Sequence, residues 1–93
     1  MIERRIKGRV VGIDNTAFDP VYFILKPEEV SWNKRKKNRR IVIPVRRENQ
    51  KVLALLDAAF LKDYIVSVAG LHEDGSDFVY ITSTKGVKVE DDQ

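Results

Sequence analysis

The stretch VYFILKPEEVSWNKRKKNRRIVIPVR, residues 21–46, contains two apolar segments on either side of a strongly basic one. In residues 21–26 and again in residues 40–46, every second side chain is apolar. A period of two is typical of a β-strand with one buried face. The stretch therefore predicts two strands joined by a long basic loop. The side chains expected in the core are Phe23, Leu25, Ile41 and Ile43.

The basic loop, residues 31–40, carries six cations within seven residues, two positions after Trp32. The positive charges of such a run repel one another, so the run requires water or an anionic partner. A polyphosphate chain is a common partner of this kind. Trp32 has two open interpretations, since it can stack on a ligand or close one end of the core. The cations are Lys34, Arg35, Lys36, Lys37, Arg39 and Arg40.

Upstream, residues 5–13 alternate in the same way and predict a first strand. The following loop, residues 14–20, is rich in Asn, Asp and Pro, which favour turns. Phe18 in this loop is expected to pack against the protein, and contact with a ligand is the alternative. Pro44 cannot donate a ladder hydrogen bond, so the third strand is expected at a sheet edge or beside an opening.

Downstream, the period changes to that of a helix over residues 48–63, and Asn49 is a candidate N-cap. Residues 64–69 and 78–83 are again strand-like, and an Asp-Gly turn signal lies between them, which predicts a hairpin. Val87 and Val89 predict a short last strand. Residues 90–93 predict a frayed acidic tail.

The composition favours one soluble domain spanning residues 1–93. Of these residues 43% are hydrophobic and 33% are charged, and no apolar run has the roughly 20 residues that a membrane span needs. Without cysteine there are no disulfides or thiolate metal ligands, and a cytoplasmic location is expected. Residues 1–47 carry 13 Lys/Arg and 5 Asp/Glu, net +8, whereas residues 48–93 carry 4 and 9, net −5. Either the basic half forms one side of the fold, or folding interleaves the two halves.

The order of three strands, one helix and two strands resembles the oligonucleotide/oligosaccharide-binding (OB) superfamily, whose members are small five-stranded Greek-key barrels. The segments KGRVVG, within residues 7–12, and LKDYIVSVAG, residues 61–70, are similar to small translational and single-strand-binding members. The predicted fold class is thus all-β with one helix. An SH3-like barrel and an open sheet covered by one helix are the alternatives.

The resemblance implies a ligand site across the outer face of the second and third strands, between the loops at either end. The acidic loop of residues 72–77 opposes this, because its carboxylates would repel phosphate. Its lone histidine, His72, is expected at the surface. Besides the cations of the basic loop and Trp32, the predicted nucleic-acid-binding residues are Lys7, Arg9, Tyr22, Lys26 and Arg46.

These features predict a non-enzymatic module that binds single-stranded DNA or RNA with little sequence specificity. No nucleophile motif, phosphate-binding glycine loop or thiol is present, and no cofactor or metal is expected. The alternative is a protein-interaction or accessory-subunit module whose basic loop docks an acidic partner. A third hypothesis is self-association, in which the acidic half of one copy covers the basic half of another.

Overall fold

A computed structural model describes residues 2–28, 40–73 and 75–90. Within this part of the chain it contains six strands, one α-helix and one short 3₁₀ helix. The strands are β1 Ile2–Asp14, β2 Val21–Pro27, β3 Ile41–Val45, β4 Ile65–His72, β5 Val79–Ile81 and β6 Val87–Glu90, the helix α1 is Gln50–Lys62, and the 3₁₀ helix is Thr84–Gly86.

The strands form one antiparallel sheet in the order β3-β2-β1-β4-β5, and β6 pairs with the first half of β4 on the same edge as β5, opposite β1. A parallel bridge between Val42 and Phe78 joins β3 to the start of β5, and the amide of Val42 donates to the carbonyl of Asp77 at 2.8 Å. The sheet thereby becomes a nearly closed barrel. The prediction of an all-β fold with one helix is confirmed, and the architecture is compatible with a small OB-like barrel.

The core lies inside this barrel, with α1 packed over it. The four residues predicted for the core from β2 and β3 are all completely buried. The helix contributes Val52, Leu56 and Ala59, which recur at helical spacing and are also buried. No helix in the described part of the chain has the length and apolar character needed to cross a bilayer.

Two glycines allow the strands to approach one another closely. A Cβ atom on Gly8 of β1 would lie 2.2 Å from the backbone carbonyl oxygen of Lys26, and one on Gly70 of β4 would lie 2.5 Å from that of Tyr80. Real Cβ atoms do not tolerate such distances from the backbone. By contrast, a Cβ on Gly12 would meet only the side chain of Ile24, at 3.5 Å.

Pro44 lies in β3, the end strand of the antiparallel path, as its missing amide predicts. Backbone amides two residues apart point to the same edge of a strand, so the edge of β3 that presents the Val42 amide to β5 presents Pro44 two residues later. Within the described residues the connection between β3 and β5 is an isolated bridge, and Pro44 has no donor with which to extend it.

Two predictions about the second half of the chain are wrong. His72 is the last residue of β4 and is completely buried, because β4 continues three residues past its predicted end. Glu90, predicted to belong to the frayed tail, is the last residue of β6 and pairs with Ile65. Residues 91–93 lie outside the described part of the chain.

Candidate functional site

An exposed cluster of rings lies on the outside of the barrel where β2, β3 and β5 meet. We call this surface the aromatic face and define it by Tyr22, Ile24, Val42, Phe78 and Tyr80. The Tyr22 and Phe78 rings meet edge to face with centroids 6.4 Å apart, and the Phe78 and Tyr80 rings are nearly parallel at 6.2 Å. Phe78 is 37% exposed and Tyr80 is 44% exposed. Contiguous apolar surface of this kind marks binding sites more often than isolated exposed residues do.

Strand pairing assembles this cluster from distant parts of the chain. Ile24 of β2 is the partner of Val42 in β3, and Val42 in turn bridges Phe78. Tyr22 and Ile24 project from the same side of β2, as do Phe78 and Tyr80 at β5, because side chains alternate along a strand. Closure of the barrel therefore places rings 56 residues apart in sequence against one another.

Positive charge lies at one end of the aromatic face. Lys26 follows Ile24 by two residues on the outer side of β2, about 7 Å along the strand. Its cross-strand partner on β1 is Arg9, and Arg40 directly precedes Ile41, the partner of Leu25. The three cations thus come from β1, from β2 and from the residue directly before β3.

Arg9 and Lys26 differ in whether a carboxylate of the protein lies close to the positive charge. The Arg9 guanidinium donates to the backbone carbonyl of Asp63, and its Nη1 lies 3.5 Å from the Asp63 carboxylate. Lys26 forms no ion pair with any residue in the described ranges. Both border an open hollow of about 370 Å³, whose other lining residues are Val11, Pro27 and Glu28. Like charges on directly opposed residues repel, so an anion bound here would relieve that repulsion.

Lys7 lies two residues before Arg9 on the same side of β1, where a neighbouring surface begins that we call the paired face. This is the outer side of β1, β4 and β6, defined by Arg5, Lys7, Ser67 and Glu90. The Lys7 ammonium lies 3.0 Å from the Glu90 carboxylate, and this hydrogen bond raises the pKa of Lys7. Arg5 donates to the hydroxyl of Ser67 at 2.9 Å. Basic residues of the first half are here paired with groups of the second half, so folding does interleave the two halves at this surface.

Arg46 lies past the far end of β3, away from Lys26. Its Nε atom is 3.2 Å from the carboxylate of Asp19, which also accepts from the Arg47 amide at 3.0 Å. The guanidinium of Arg47 lies 4.2 Å above the ring of Phe18. Phe18 is 77% exposed, so its predicted packing role is wrong apart from this cation–π contact. The structure therefore separates Arg46 from Lys26, and it places Lys7 near Lys26 but in an ion pair with Glu90.

One acidic residue borders the opposite end of the aromatic face. Asp14 is the cross-strand partner of Tyr22, whereas Asp77 precedes Phe78 on the side of Ile41 and Arg40. The Thr16 hydroxyl donates to Asp14 Oδ1 at 2.6 Å and the Thr16 amide donates to it at 3.0 Å. These bonds, the hydroxyl first, lower the pKa of Asp14. The aromatic face thus has a basic end and an acidic end.

The buried His72 supports the turn that leads to the aromatic face. Arg4 donates from Nε to His72 Nδ1 at 3.1 Å, so the ring proton lies on Nε2, which donates to the Ser76 carbonyl at 2.8 Å. The Ser76 hydroxyl then accepts from the amide of Phe78 at 3.0 Å. His72 is therefore a structural residue that connects the sheet to the position of Phe78.

Several predicted binding residues lie outside the described part of the chain. They are Trp32, Lys34, Arg35, Lys36, Lys37 and Arg39. Asp74 of the acidic loop also lies outside it, and among the residues that are described no group of three or more potential metal-binding side chains is close enough to hold an ion.

Phe78 and Tyr80 are not among the binding residues predicted from the sequence. The available signal was their spacing of two residues in a predicted strand, which places both rings on one side. That strand alone does not reveal which side is exposed or that Tyr22 lies beside it.

Comparison with known proteins gives no further assignment. The sequence matches no protein-family model, and no curated protein or solved structure is significantly similar to it.

Proposed function

We propose that this protein is a non-enzymatic module that binds single-stranded nucleic acid across the aromatic face. The observation that supports this most directly is the cluster of the half-buried Tyr22 and the exposed Phe78 and Tyr80 on the same outer surface as Lys26. Single-strand binding needs flat rings on which bases stack and cations that neutralise the backbone. Both occur on one outer surface of an OB-like barrel.

The rings and the cations occupy different parts of this surface, and we assign them different roles. Bases stack on the three rings, each stacked base contributing about 1 to 3 kcal/mol, and the phosphates lie toward Lys26, Arg9 and Arg40. Stacking does not discriminate strongly among bases, so the overall sequence preference is weak. The basic loop, whose cations directly precede β3, extends the positive charge from Arg40 and holds further phosphates.

A panel of single-stranded DNA, duplex DNA and single-stranded RNA, titrated at about 50 and 200 mM salt, tests the proposal. We expect both single strands to bind more tightly than the duplex. With about six phosphates engaged, the logarithm of affinity falls with that of salt at a slope of about −4. Neutralising Lys34, Arg35, Lys36 and Lys37 together is expected to flatten the slope. An unchanged slope would refute the role of the basic loop.

A second measurement isolates the aromatic face. Replacing Tyr22, Phe78 and Tyr80 by leucine keeps apolar volume but removes the rings, and losing two stacked bases is expected to weaken binding about 30-fold or more. Phe18→Leu is the matched control, since it removes an exposed ring elsewhere. Equal affinity of the triple variant and the control would exclude the aromatic face as the binding surface. Salt-dependent capture of an acidic protein without any nucleic-acid binding would instead favour a docking module.

A further inference from the structure

A shallow hollow of about 260 Å³ opens within the aromatic face. Its lining residues are Asp14, Tyr22, Ile24, Val42 and Phe78. Four of these present apolar or aromatic surface, and Asp14 is the charged member. Binding sites for small planar groups typically combine such apolar walls with few polar groups that fix orientation.

The Asp14 carboxylate is held in a fixed orientation at this hollow. Both hydrogen bonds from Thr16 end on Oδ1, which sets the rotation of the group. The lowered pKa keeps the carboxylate ionised at neutral pH. An ionised carboxylate only accepts hydrogen bonds, and Oδ2, which accepts neither bond from Thr16, can accept from two adjacent donors of a ligand.

The negative charge and the acceptor oxygens of Asp14 determine which chemical groups can bind in the hollow. A phosphate is repelled by the carboxylate, whereas a base is attracted if it presents donors along one edge. Guanine presents two adjacent donors, N1–H and the N2 amino group, whereas the other bases mix donors with acceptors along the corresponding edge. Single-stranded bases are commonly recognised by stacking combined with hydrogen bonds to this edge.

We propose that the hollow is a base-selective subsite for guanine, whose ring lies against Tyr22 and Phe78 and whose N1 and N2 groups donate to Asp14. This rests on the proposed function, since it assumes that a single strand crosses the aromatic face. The acidic end then takes a base, while the basic end near Lys26 takes phosphate. Weak selectivity along most of the strand is thus combined with a preference at one position.

The test uses oligothymidines of about 12 nucleotides, within the usual site sizes of OB-type surfaces, with guanine at every fourth position. A matched set carries inosine, which lacks only the N2 amino group. We expect the guanine set to bind about 10-fold more tightly than the inosine set, or more, which corresponds to the loss of one hydrogen bond to a charged group. Equal affinity for both sets would overturn the proposal.

Variants assign the discrimination to Asp14. Asp14→Asn keeps an oxygen that can accept from Thr16 but replaces the second oxygen by a donor, so the ratio of guanine to inosine affinity is expected to fall to about one. Asp57→Asn makes the same change at an exposed position of α1 and is expected to keep the full ratio. A ratio retained in Asp14→Asn would overturn the assignment.

The wild-type comparison does not depend on whether a variant folds. Failure of this inference also differs from failure of the proposed function. Binding of every oligonucleotide without discrimination overturns the guanine subsite alone, whereas absence of any binding overturns both.

Discussion

The paired face and the aromatic face lie on the same sheet but differ in how their outward side chains are satisfied. On the paired face, Lys7 lies 3.0 Å from Glu90, and Arg5 donates to Ser67. On the aromatic face, rings contact one another yet keep substantial exposed surface, and Lys26 makes no ion pair with any described residue. Internal partners satisfy the first surface, whereas the second retains capacity for an external one. Whether a surface cation has a partner within the protein thus depends on residues of other strands, such as Glu90 of β6 for Lys7.

β1 carries part of the paired face and pairs with β2, which carries part of the aromatic face, so the largest expected effect comes from the place where β1 meets β2. Gly8→Ala puts a Cβ atom against the Lys26 carbonyl and is expected to destabilise the fold by about 3 kcal/mol or more. Gly12→Ala on the same strand is expected to change the unfolding free energy by less than about 1 kcal/mol. Denaturant unfolding of both variants provides the measurement, and equal stability would contradict the close strand crossing.

A buried polar residue lies at each face: His72 near the aromatic face and Ser67 on the paired face. Only His72 is bonded to the turn that precedes Phe78. His72→Leu removes the ring that accepts from Arg4 and donates to the Ser76 carbonyl, so an expected loss of about 1 to 3 kcal/mol accompanies a looser turn before Phe78. Ring proton shifts of Phe78 and Tyr80 report that turn. Ser67→Ala, on the paired face, is expected to leave those shifts unchanged. Unaltered shifts in His72→Leu would show that the turn does not need the imidazole.

Lys26 and Lys7 allow the comparison to be made with one residue type. Lys26→Gln is expected to remove one phosphate contact, which reduces the steepness of the salt dependence by about 0.7 and the affinity at 0.1 M salt by about fivefold. Lys7→Gln removes an exposed ion pair and is expected to leave binding unchanged. Fluorescence anisotropy with a labelled single strand measures both variants. If the two substitutions weaken binding equally, the distinction between the faces fails.

The smallest expected effect concerns the carboxylate beside Tyr22. Thr16→Ala removes the hydroxyl that donates to Asp14, so the pKa of Asp14 is expected to rise toward its ordinary value, whereas Thr16→Ser keeps it low. Because the pKa of Asp14 is lower in the folded state, the associated stability is present above the unfolded pKa and is lost as pH falls through the folded pKa. The loss of folding stability at acidic pH is therefore expected to be smaller in Thr16→Ala than in the wild type. Carbon NMR of the Asp14 carboxyl follows the titration, and identical curves for all three proteins would rule out the hydroxyl as the cause.

The barrel strands and their buried sides follow from local patterns. Alternation in β2 and β3 predicts that Phe23 and Ile43 are buried, and both are. The edge position of Pro44 follows from its missing amide. Such properties depend on neighbours in sequence or on the chemistry of one residue, so a single chain suffices to predict them.

The composition of each outer face depends on contacts across the sheet. Tyr22 and Phe78 meet only because β3 bridges β5, and Lys7 finds Glu90 because β6 lies beside β4. Nothing within a single strand encodes those partners. The burial of His72 was missed for a related reason, since β4 extends through residues whose local sequence is typical of a turn.

The position of Pro44 also bears on how copies of this protein behave toward one another. An edge strand with unpaired N–H and C=O groups can pair with a strand of a neighbouring molecule, and such pairing can begin aggregation. Along the margin of β3 that faces β5, the Val42 amide is already engaged and Pro44 offers no hydrogen to an intruding chain. Pro44 thus limits the pairing between β3 and β5, and for the same reason it disfavours the addition of a strand from a second molecule at this edge.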